Sequence, residues 1–161
     1  MIGKLTLLFV FLAALSMVNA FPYHHFTKRA AKFGQCPPPF QPPPITAVIS
    51  DVSISPDPPK AGSELKVTGS ATTNVDITKD DFFGFVILDI TSPATPVPVF
   101  AGKPVDICKK TTCPTKTFNF NEVYDLSSLK SLPATYIVGV AIGPITNDTS
   151  LVLACGEATF P

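Results

Sequence analysis

Short apolar runs, separated by clusters of Pro, Gly, Asn and Asp, dominate the chain beyond its N-terminal region. β-Branched and aromatic residues fill these runs, whereas the repeat of about 3.6 residues that marks an amphipathic helix is nearly absent. In Glu64–Ala71, apolar residues such as Leu65 alternate with polar residues such as Lys66, as in a strand with one buried face. The pattern predicts an all-β domain.

Seven strands are predicted, and turn-forming residues such as Pro58, Gly62 and Pro133 separate them. The predicted strands are Ile45–Ile54, Glu64–Ala71, Phe82–Ile90, Val97–Phe100 with a continuation to Asp106, Thr117–Asp125, Thr135–Gly143 and Leu151–Phe160. Short strands in this number are typical of a β-sandwich.

Some of these strands are apolar on both faces. The predicted strand Phe82–Ile90 carries Phe83, Phe85 and Ile87 on one face and Phe82, Val86, Leu88 and Ile90 on the other. A two-layer sandwich has only one interior, so the surplus apolar surface needs another use. It either adds packing and an edge contact or lines a cavity for an apolar ligand. Composition alone favours the packed core.

Residues 1–20 have the pattern of an export signal. Lys4 precedes the almost unbroken apolar run Leu5–Leu15, and the small residues Val18 and Ala20 precede a cleavage point. The apolar run is shorter than the roughly 20 residues of a membrane-spanning helix, so a signal peptide is favoured over an anchor. The protein is therefore expected outside the cell or in the vacuolar lumen.

Residues 21–35 follow the signal and contain the dibasic pair Lys28–Arg29. They form either a short pro-segment that is cut after Arg29 or a flexible N-terminal tail. In either case the globular domain is expected to span residues 36–161, which is one domain by size.

Charge argues against two classes of partner. Removing residues 1–29 leaves nine lysines, no arginine and twelve acidic residues, a net charge of −3. Such a domain is a poor nucleic-acid binder. It also lacks a polybasic cluster, so contact with an anionic membrane is expected to be transient. Phe100–Lys103 and the lysines near Cys108 are the segments expected to make that contact.

The sequence contains no recognisable catalytic set. Both histidines, His24 and His25, precede the expected cut, which removes Ser-His and Cys-His pairs and histidine-containing zinc sites from the domain. The acids Asp80 and Asp81 lie beside a predicted turn, where such groups are usually solvated or capping. We therefore predict no enzyme activity, no metal site and no cofactor.

Four cysteines are expected to form disulfides in an exported protein, and three pairings are open. A pair between Cys108 and Cys113 would close a small loop. The sequon Asn147–Thr149 lies in a predicted turn, so Asn147 is expected to carry a glycan.

Four segments together resemble the ML lipid-recognition domain: Ile54–Gly62, Asp106–Pro114, Leu132–Tyr136 and Leu153–Cys155. The resemblance runs from about Cys36 to the end of the chain. Within that family the pattern resembles the fungal phosphatidylglycerol/phosphatidylinositol transfer proteins and, more distantly, the sterol-carrying Niemann-Pick type C proteins. Each motif is weak alone, and their order and spacing make the resemblance specific.

The resemblance implies an immunoglobulin-like β-sandwich whose two sheets are splayed around an apolar cavity. It assigns the bridges Cys36–Cys155 and Cys108–Cys113. A third bridge that the family often carries is missing, since 37–59 contains no cysteine. By strand position, the residues expected to line the cavity are Val67, Phe83, Phe85, Ile87, Phe118, Phe120, Tyr136, Val138, Val140 and Leu153.

Two functions from different classes follow. The first is a monomeric, non-enzymatic carrier that holds a phospholipid or sterol between its sheets and transfers it between membranes. The second is a secreted immunoglobulin-like interaction protein with a packed core and loops that bind a protein or glycan partner. A removable apolar ligand would distinguish them.

Overall fold

The computed structural model describes residues 31–36, 47–92, 96–145 and 152–161. Within these ranges the chain forms two antiparallel sheets packed as a sandwich, which confirms the predicted fold class. The strands are β1 Gly34–Gln35, β2 Val48–Ser55, β3 Glu64–Ile77, β4 Asp81–Asp89, β5 Val97–Ala101, β6 Val105–Asp106, β7 Thr115–Asp125, β8 Tyr136–Pro144 and β9 Ala154–Phe160. A short 3-10 helix, Ile107–Lys109, follows β6.

The larger sheet has the strand order β1-β9-β8-β4-β5, and β6 pairs with β4 beside β5. The smaller sheet has the order β2-β3-β7. β4 and β8 lie at the centre of the larger sheet, and their register pairs Phe85 with Val140 and Ile87 with Val138. This register places alternate residues of both strands on the same face, as the pleat of a sheet requires.

The core consists of the inward-facing residues of both sheets. Phe83, Phe85 and Ile87 of β4 are buried. The inward face of β4 is therefore the face that the sequence analysis predicted. The smaller sheet contributes Leu65 and other apolar residues of β3 and β7. Full burial of each such side chain contributes about 1.5–3 kcal/mol to folding, and this layer is the main source of stability.

Most predicted strand bounds differ from the observed ones by one to three residues, and the strand predicted from Val97 to Asp106 is divided into β5 and β6. Two larger differences concern β3 and β1. β3 continues from Ala71 to Ile77, where the buried Ile77 pairs with Thr115 of β7 after a register shift. The buried Thr73 is satisfied by donating its hydroxyl hydrogen to the Val75 carbonyl at 2.7 Å. β1 was not predicted, since two exposed residues carry no recognisable pattern. It forms by pairing Gly34 with Glu157 of β9.

β2 is irregular at Asp51. Its pairing with β3 shifts register between Ser50 and Ser53, and Asp51 has a positive φ of 55°. This is the geometry of a β-bulge, which bends the edge strand and increases its twist.

Both bridges assigned from the resemblance are present. Cys36 and Cys155 are joined with a Cα–Cα distance of 5.5 Å, and Cys108 and Cys113 with a distance of 5.4 Å. The first bridge ties the end of β1 to β9 and spans a sequence separation of 119.

Residues after Arg29 take part in the fold. The Ala31 amide donates a hydrogen bond to the Asp57 carboxylate at 2.6 Å, and Ala31 and Phe33 pack against the core. The folded region therefore begins before Cys36, and a cut after Arg29 would leave these contacts intact.

Several predicted features lie outside the described residues. They are the signal peptide 1–20, the dibasic pair Lys28–Arg29, the Pro-rich stretch 37–44, and the sequon at Asn147. In the described part of the chain, no helix has the length and apolar character needed to cross a membrane.

Candidate functional site

The residues predicted to line a lipid cavity all lie in or against the interior between the sheets. Nine of the ten are buried, and Leu153 is partly buried against the core. They come from β3, β4, β7, β8 and the segment before β9, so the fold brings together positions that are far apart in sequence.

Stacked aromatic rings connect the two sheets across this interior. Phe83 of β4 stacks on Phe120 of β7 with ring centroids 4.5 Å apart, and Phe85 stacks on Tyr124 at 4.3 Å. Such pairs contribute about 0.5–1.5 kcal/mol each beyond the area that they bury. These two ring pairs therefore connect the sheets directly across part of the interior.

Two glycines allow these rings to lie where they do. A Cβ at Gly69 would lie 2.5 Å from the Phe120 ring, and a Cβ at Gly102 would collide with the Tyr124 ring. A side chain at position 69 or 102 would therefore need the space that the Phe120 and Tyr124 rings occupy.

Tyr124 carries an unsatisfied polar group in this layer. Its side chain is buried, and its hydroxyl has no hydrogen-bond partner among the described residues. Burial raises the pKa of Tyr124, and the nearby charge of Glu122 raises it further, so the phenol stays neutral. An unsatisfied buried hydroxyl costs about 1–3 kcal/mol, so a polar group that reached it would be held there.

A second apolar space lies on the opposite face of the larger sheet. This outer-face groove has a volume of about 570 Å³. Its lining residues are Cys36, Gly84, Phe85, Val86, Leu88, Ile90, Pro96, Ile137, Gly139, Val140, Ala141, Val152, Cys155 and Glu157. Phe85 and Val140 border both this groove and the interior between the sheets. They pair with each other, and both are buried, with their side chains in the interior.

The outer-face groove exists because its floor has almost no side chains. Gly84 pairs with Ala141, and Gly139 pairs with Val86, so small residues of β4 and β8 lie next to one another. A Cβ at Gly84 would have its nearest neighbour, the Ala141 carbonyl oxygen, at 3.9 Å. Larger side chains such as Leu88 and Ile137 rise beside this floor.

Glu157 is the single ionisable residue among the described residues that line the outer-face groove. It lies on β9 opposite Gly139. Burial raises the pKa of its carboxyl group, because the charged form loses solvation.

The lysines expected to contact membranes are partly engaged. The Lys110 ammonium donates to the Glu122 carboxylate at 2.7 and 3.1 Å, and Lys109 pairs with Asp106 at 3.3 Å. Lys103 is exposed and forms no ion pair within the described ranges. In the same ranges no three potential metal ligands cluster together.

A family model described as the ML domain matches residues 30–161. The chain belongs to the ML domain family. This family binds lipids, so membership supports lipid binding by the protein in general. A search of curated proteins finds no match to the chain. The match begins at residue 30, which agrees with the packing of Ala31 and Phe33 in this ML domain.

The outer-face groove was not predicted as a site of this ML domain. The signal was present, since Phe82–Ile90 is apolar on both faces and Val86 and Leu88 belong to the surplus face. The contribution of Gly84, Gly139 and Glu157 could not be seen, because it depends on the register of three strands.

Proposed function

We propose that this ML domain protein carries a single lipid, a phospholipid of the phosphatidylglycerol or phosphatidylinositol type or a sterol, and transfers it between membranes without catalysis. Membership of a lipid-binding family over residues 30–161 is the observation that carries this proposal. The buried apolar layer between the sheets supports it, because the ten predicted lining residues offer an environment suited to an acyl chain or a sterol ring system.

The energetics of transfer follow from the apolar character of the interior. Moving an acyl chain into water costs about 0.8 kcal/mol per methylene, and a dry pocket of Phe, Val and Ile residues returns nearly the same amount. Exchange between bilayer and protein is then close to neutral. A carrier needs this balance, since a pocket much better than a membrane would not release its cargo.

An interior narrowed by contacts between the sheets is the form expected of the carrier without cargo. An empty cavity costs about 24 cal/mol per Å³, so a void of roughly 300 Å³ would cost about 7 kcal/mol. That is comparable to the whole stability of a small domain. Rings such as Phe120 therefore lie between the sheets, and an entering lipid would displace them while the Cys36–Cys155 bridge keeps β1 and β9 together.

The rival proposal, a packed interaction domain that binds a protein or glycan, is favoured by one observation. The stacks Phe83–Phe120 and Phe85–Tyr124 join the sheets directly. We rank it second, because the family match supports a lipid ligand.

The proposal further places the protein outside the cell or in the vacuolar lumen, as a monomer with a glycan on Asn147. The export pattern of residues 1–20 supports this location. Two disulfides and no free cysteine within the described residues are compatible with it, because disulfides persist in oxidising compartments.

Native mass spectrometry of the secreted protein, followed by organic extraction and lipid identification, tests the proposal. A stoichiometric phospholipid or sterol is expected. Protein that is isolated without lipid and takes up none from vesicles would refute the carrier and favour the interaction domain.

A matched pair of variants on β7 tests the location of the cargo. Phe120→Leu alters the interior and is expected to change phospholipid affinity by about tenfold, since roughly 1.4 kcal/mol is involved. Val123→Ala changes a residue that is 57% exposed on the same strand and is expected to leave affinity unchanged. Equal effects of the two variants would contradict a site between the sheets.

A further inference from the structure

The outer-face groove is formed by the central strands of the larger sheet, and its floor presents no free backbone groups. β4 pairs with β8 on one side and with β5 and β6 on the other, and β8 pairs with β4 and β9. The peptide groups of the floor are therefore engaged in the sheet. Any occupant must be apolar over most of its length, because it finds no backbone partner there.

The side chains of the lining lead to the same requirement. The lining includes the apolar side chains of Val86, Leu88, Ile137 and Val152. Since all of these groups are apolar, the favourable energy of binding comes from burial of hydrocarbon.

The dimensions favour a small molecule over a protein. Concave ligand sites usually have volumes of about 300–1,000 Å³, and the groove volume of about 570 Å³ lies within that range. A protein partner needs a surface that buries roughly 1,200–2,000 Å² in total. A depression whose floor is Gly84, Gly139 and Ala141 suits a single hydrocarbon chain better than a protein face.

Glu157 sets the polarity of the occupant. Its carboxylate lies in the row of Val86 and Gly139, at the side of the groove formed by β9. A carboxylate accepts hydrogen bonds and donates none, so it favours a hydroxyl or ammonium group. An anionic head group would be repelled in this partly desolvated position.

We propose that the outer-face groove is a second lipid site, separate from the interior, which binds a single-chain lipid whose head group donates hydrogen bonds and carries no negative charge. A monoacylglycerol and a long-chain amine have this chemistry, whereas a fatty acid does not at neutral pH. Apart from Phe85 and Val140, which border both spaces, the residues that line the groove differ from those predicted to line the interior, so the site goes beyond the proposed transfer function and does not depend on it.

Calorimetric titration of the secreted protein with three probes of equal chain length tests the site. The probes are monolauroylglycerol, dodecylamine and laurate, each kept below its critical micelle concentration at pH 7. The first two are expected to bind at least tenfold more tightly than laurate. Equal binding of all three, or binding of none, would overturn the proposal.

Variants place the probes in the groove. Gly84→Leu extends a side chain into open space and is expected to reduce monolauroylglycerol affinity at least tenfold. Thr72→Leu adds a similar side chain at an exposed position of β3 in the other sheet and is expected to have no effect. Ala141→Leu fills the same floor and replaces Gly84→Leu if circular dichroism shows that the latter is unfolded.

The head-group preference depends on Glu157. Glu157→Gln removes the negative charge, so laurate is expected to bind this variant about as tightly as monolauroylglycerol. Continued rejection of laurate would show that Glu157 does not set the preference and would overturn that part of the proposal.

Phospholipid transfer between vesicles, measured on the same variants, separates the two proposals. Gly84→Leu is expected to lose the single-chain probe and to retain phospholipid transfer. If the unmodified protein binds the probe but transfers no phospholipid, the proposed function alone is overturned. If it transfers phospholipid but does not bind the probe, the second site alone is overturned.

Discussion

Tyr124 is well packed and yet poorly satisfied. Its ring stacks on Phe85 at 4.3 Å and approaches Phe100 edge-on at 6.5 Å. Its hydroxyl nevertheless has no partner among the described residues. Removing an unsatisfied buried polar group while keeping its ring is one of the few core changes expected to stabilise a protein.

Tyr124→Phe is therefore expected to raise the free energy of unfolding of the lipid-free protein by about 1 kcal/mol. Urea denaturation measures this change. Tyr136→Phe is the matched control, since Tyr136 is also buried and stacks on Phe160 at 5.2 Å but its hydroxyl is not an unsatisfied buried group. A loss of stability in Tyr124→Phe would show that the hydroxyl is bonded in solution. If a lipid head group bonds to it, the same variant is expected to hold phospholipid less tightly.

Glu157 makes stability depend on pH. Burial raises its pKa in the folded protein above the value of the unfolded chain, so the folded form binds more protons between the two pKa values. Stability therefore falls as the pH rises through this window. The loss of stability caused by ionising Glu157 is absent below the pKa of the unfolded chain, near 4.3, and fully present above the pKa of the folded protein.

Glu157→Gln is expected to be more stable than the unmodified protein at pH 7 and equal to it near pH 3.5. Thermal unfolding at the two pH values measures the difference. A gain of the same size at both would indicate an effect of the amide itself and not of the ionised carboxyl group.

Among the elements, the two disulfides are expected to differ in importance. In the loop-entropy model a closure across 119 positions stabilises the fold by roughly 4–5 kcal/mol, and a closure across five by about 2 kcal/mol. Cys36→Ala with Cys155→Ala is thus expected to cost about twice as much as Cys108→Ala with Cys113→Ala. Denaturant titration of the two double variants provides the comparison. Equal losses would contradict the loop-length argument.

Much of the element order could be predicted from the sequence. The alternation in Glu64–Ala71 and the apolar run Phe82–Ile90 correspond to β3 and β4, because burial of one or both faces leaves a direct pattern. β1 and the extension of β3 to Ile77 could not be predicted. They depend on pairing with β9 and on the irregular pairing of Ile77 with Thr115 of β7, and neither leaves a local pattern.

The site was predictable to a smaller extent. Periodicity indicated which residues face inward, whereas their contact with a lipid, implied by the family resemblance, stays a prediction. Neither indicated that Phe120 and Tyr124 would stack across the interior, because ring contacts depend on how the sheets pack. The outer-face groove depends on the register that brings Gly84 beside Ala141, which is a tertiary property.

For the molecule as a whole, net charge bears on the proposed contact with a membrane. The part after residue 29 has a net charge of −3, so an anionic bilayer repels it at long range. The proposed contact would need local lysines to offset this repulsion. Lys110 is held by Glu122, whereas Lys103 is exposed beside the apolar residue Phe100 and the loop that packs on Tyr124.

Lys103→Glu is expected to slow lipid transfer to anionic vesicles several-fold at low salt, with a smaller effect at high salt and none on neutral vesicles. Fluorescent-lipid transfer assays measure these rates. Lys130→Glu, which makes the same charge change at another exposed position, is the control. Equal slowing by both variants would show that the net charge of the protein, and not a local contact of Lys103, controls the transfer rate.

The irregular edge strands bear on how this protein behaves at high concentration. A regular, exposed strand edge is a template on which copies of a chain assemble into fibres. Here β1 has only two residues, β5 contains Pro98, and β2 is bent at Asp51. Each of these edges is a poor template for fibre growth, which leaves, among the described strands, β7, the regular eleven-residue edge of the smaller sheet, as the edge on which copies of the chain would assemble.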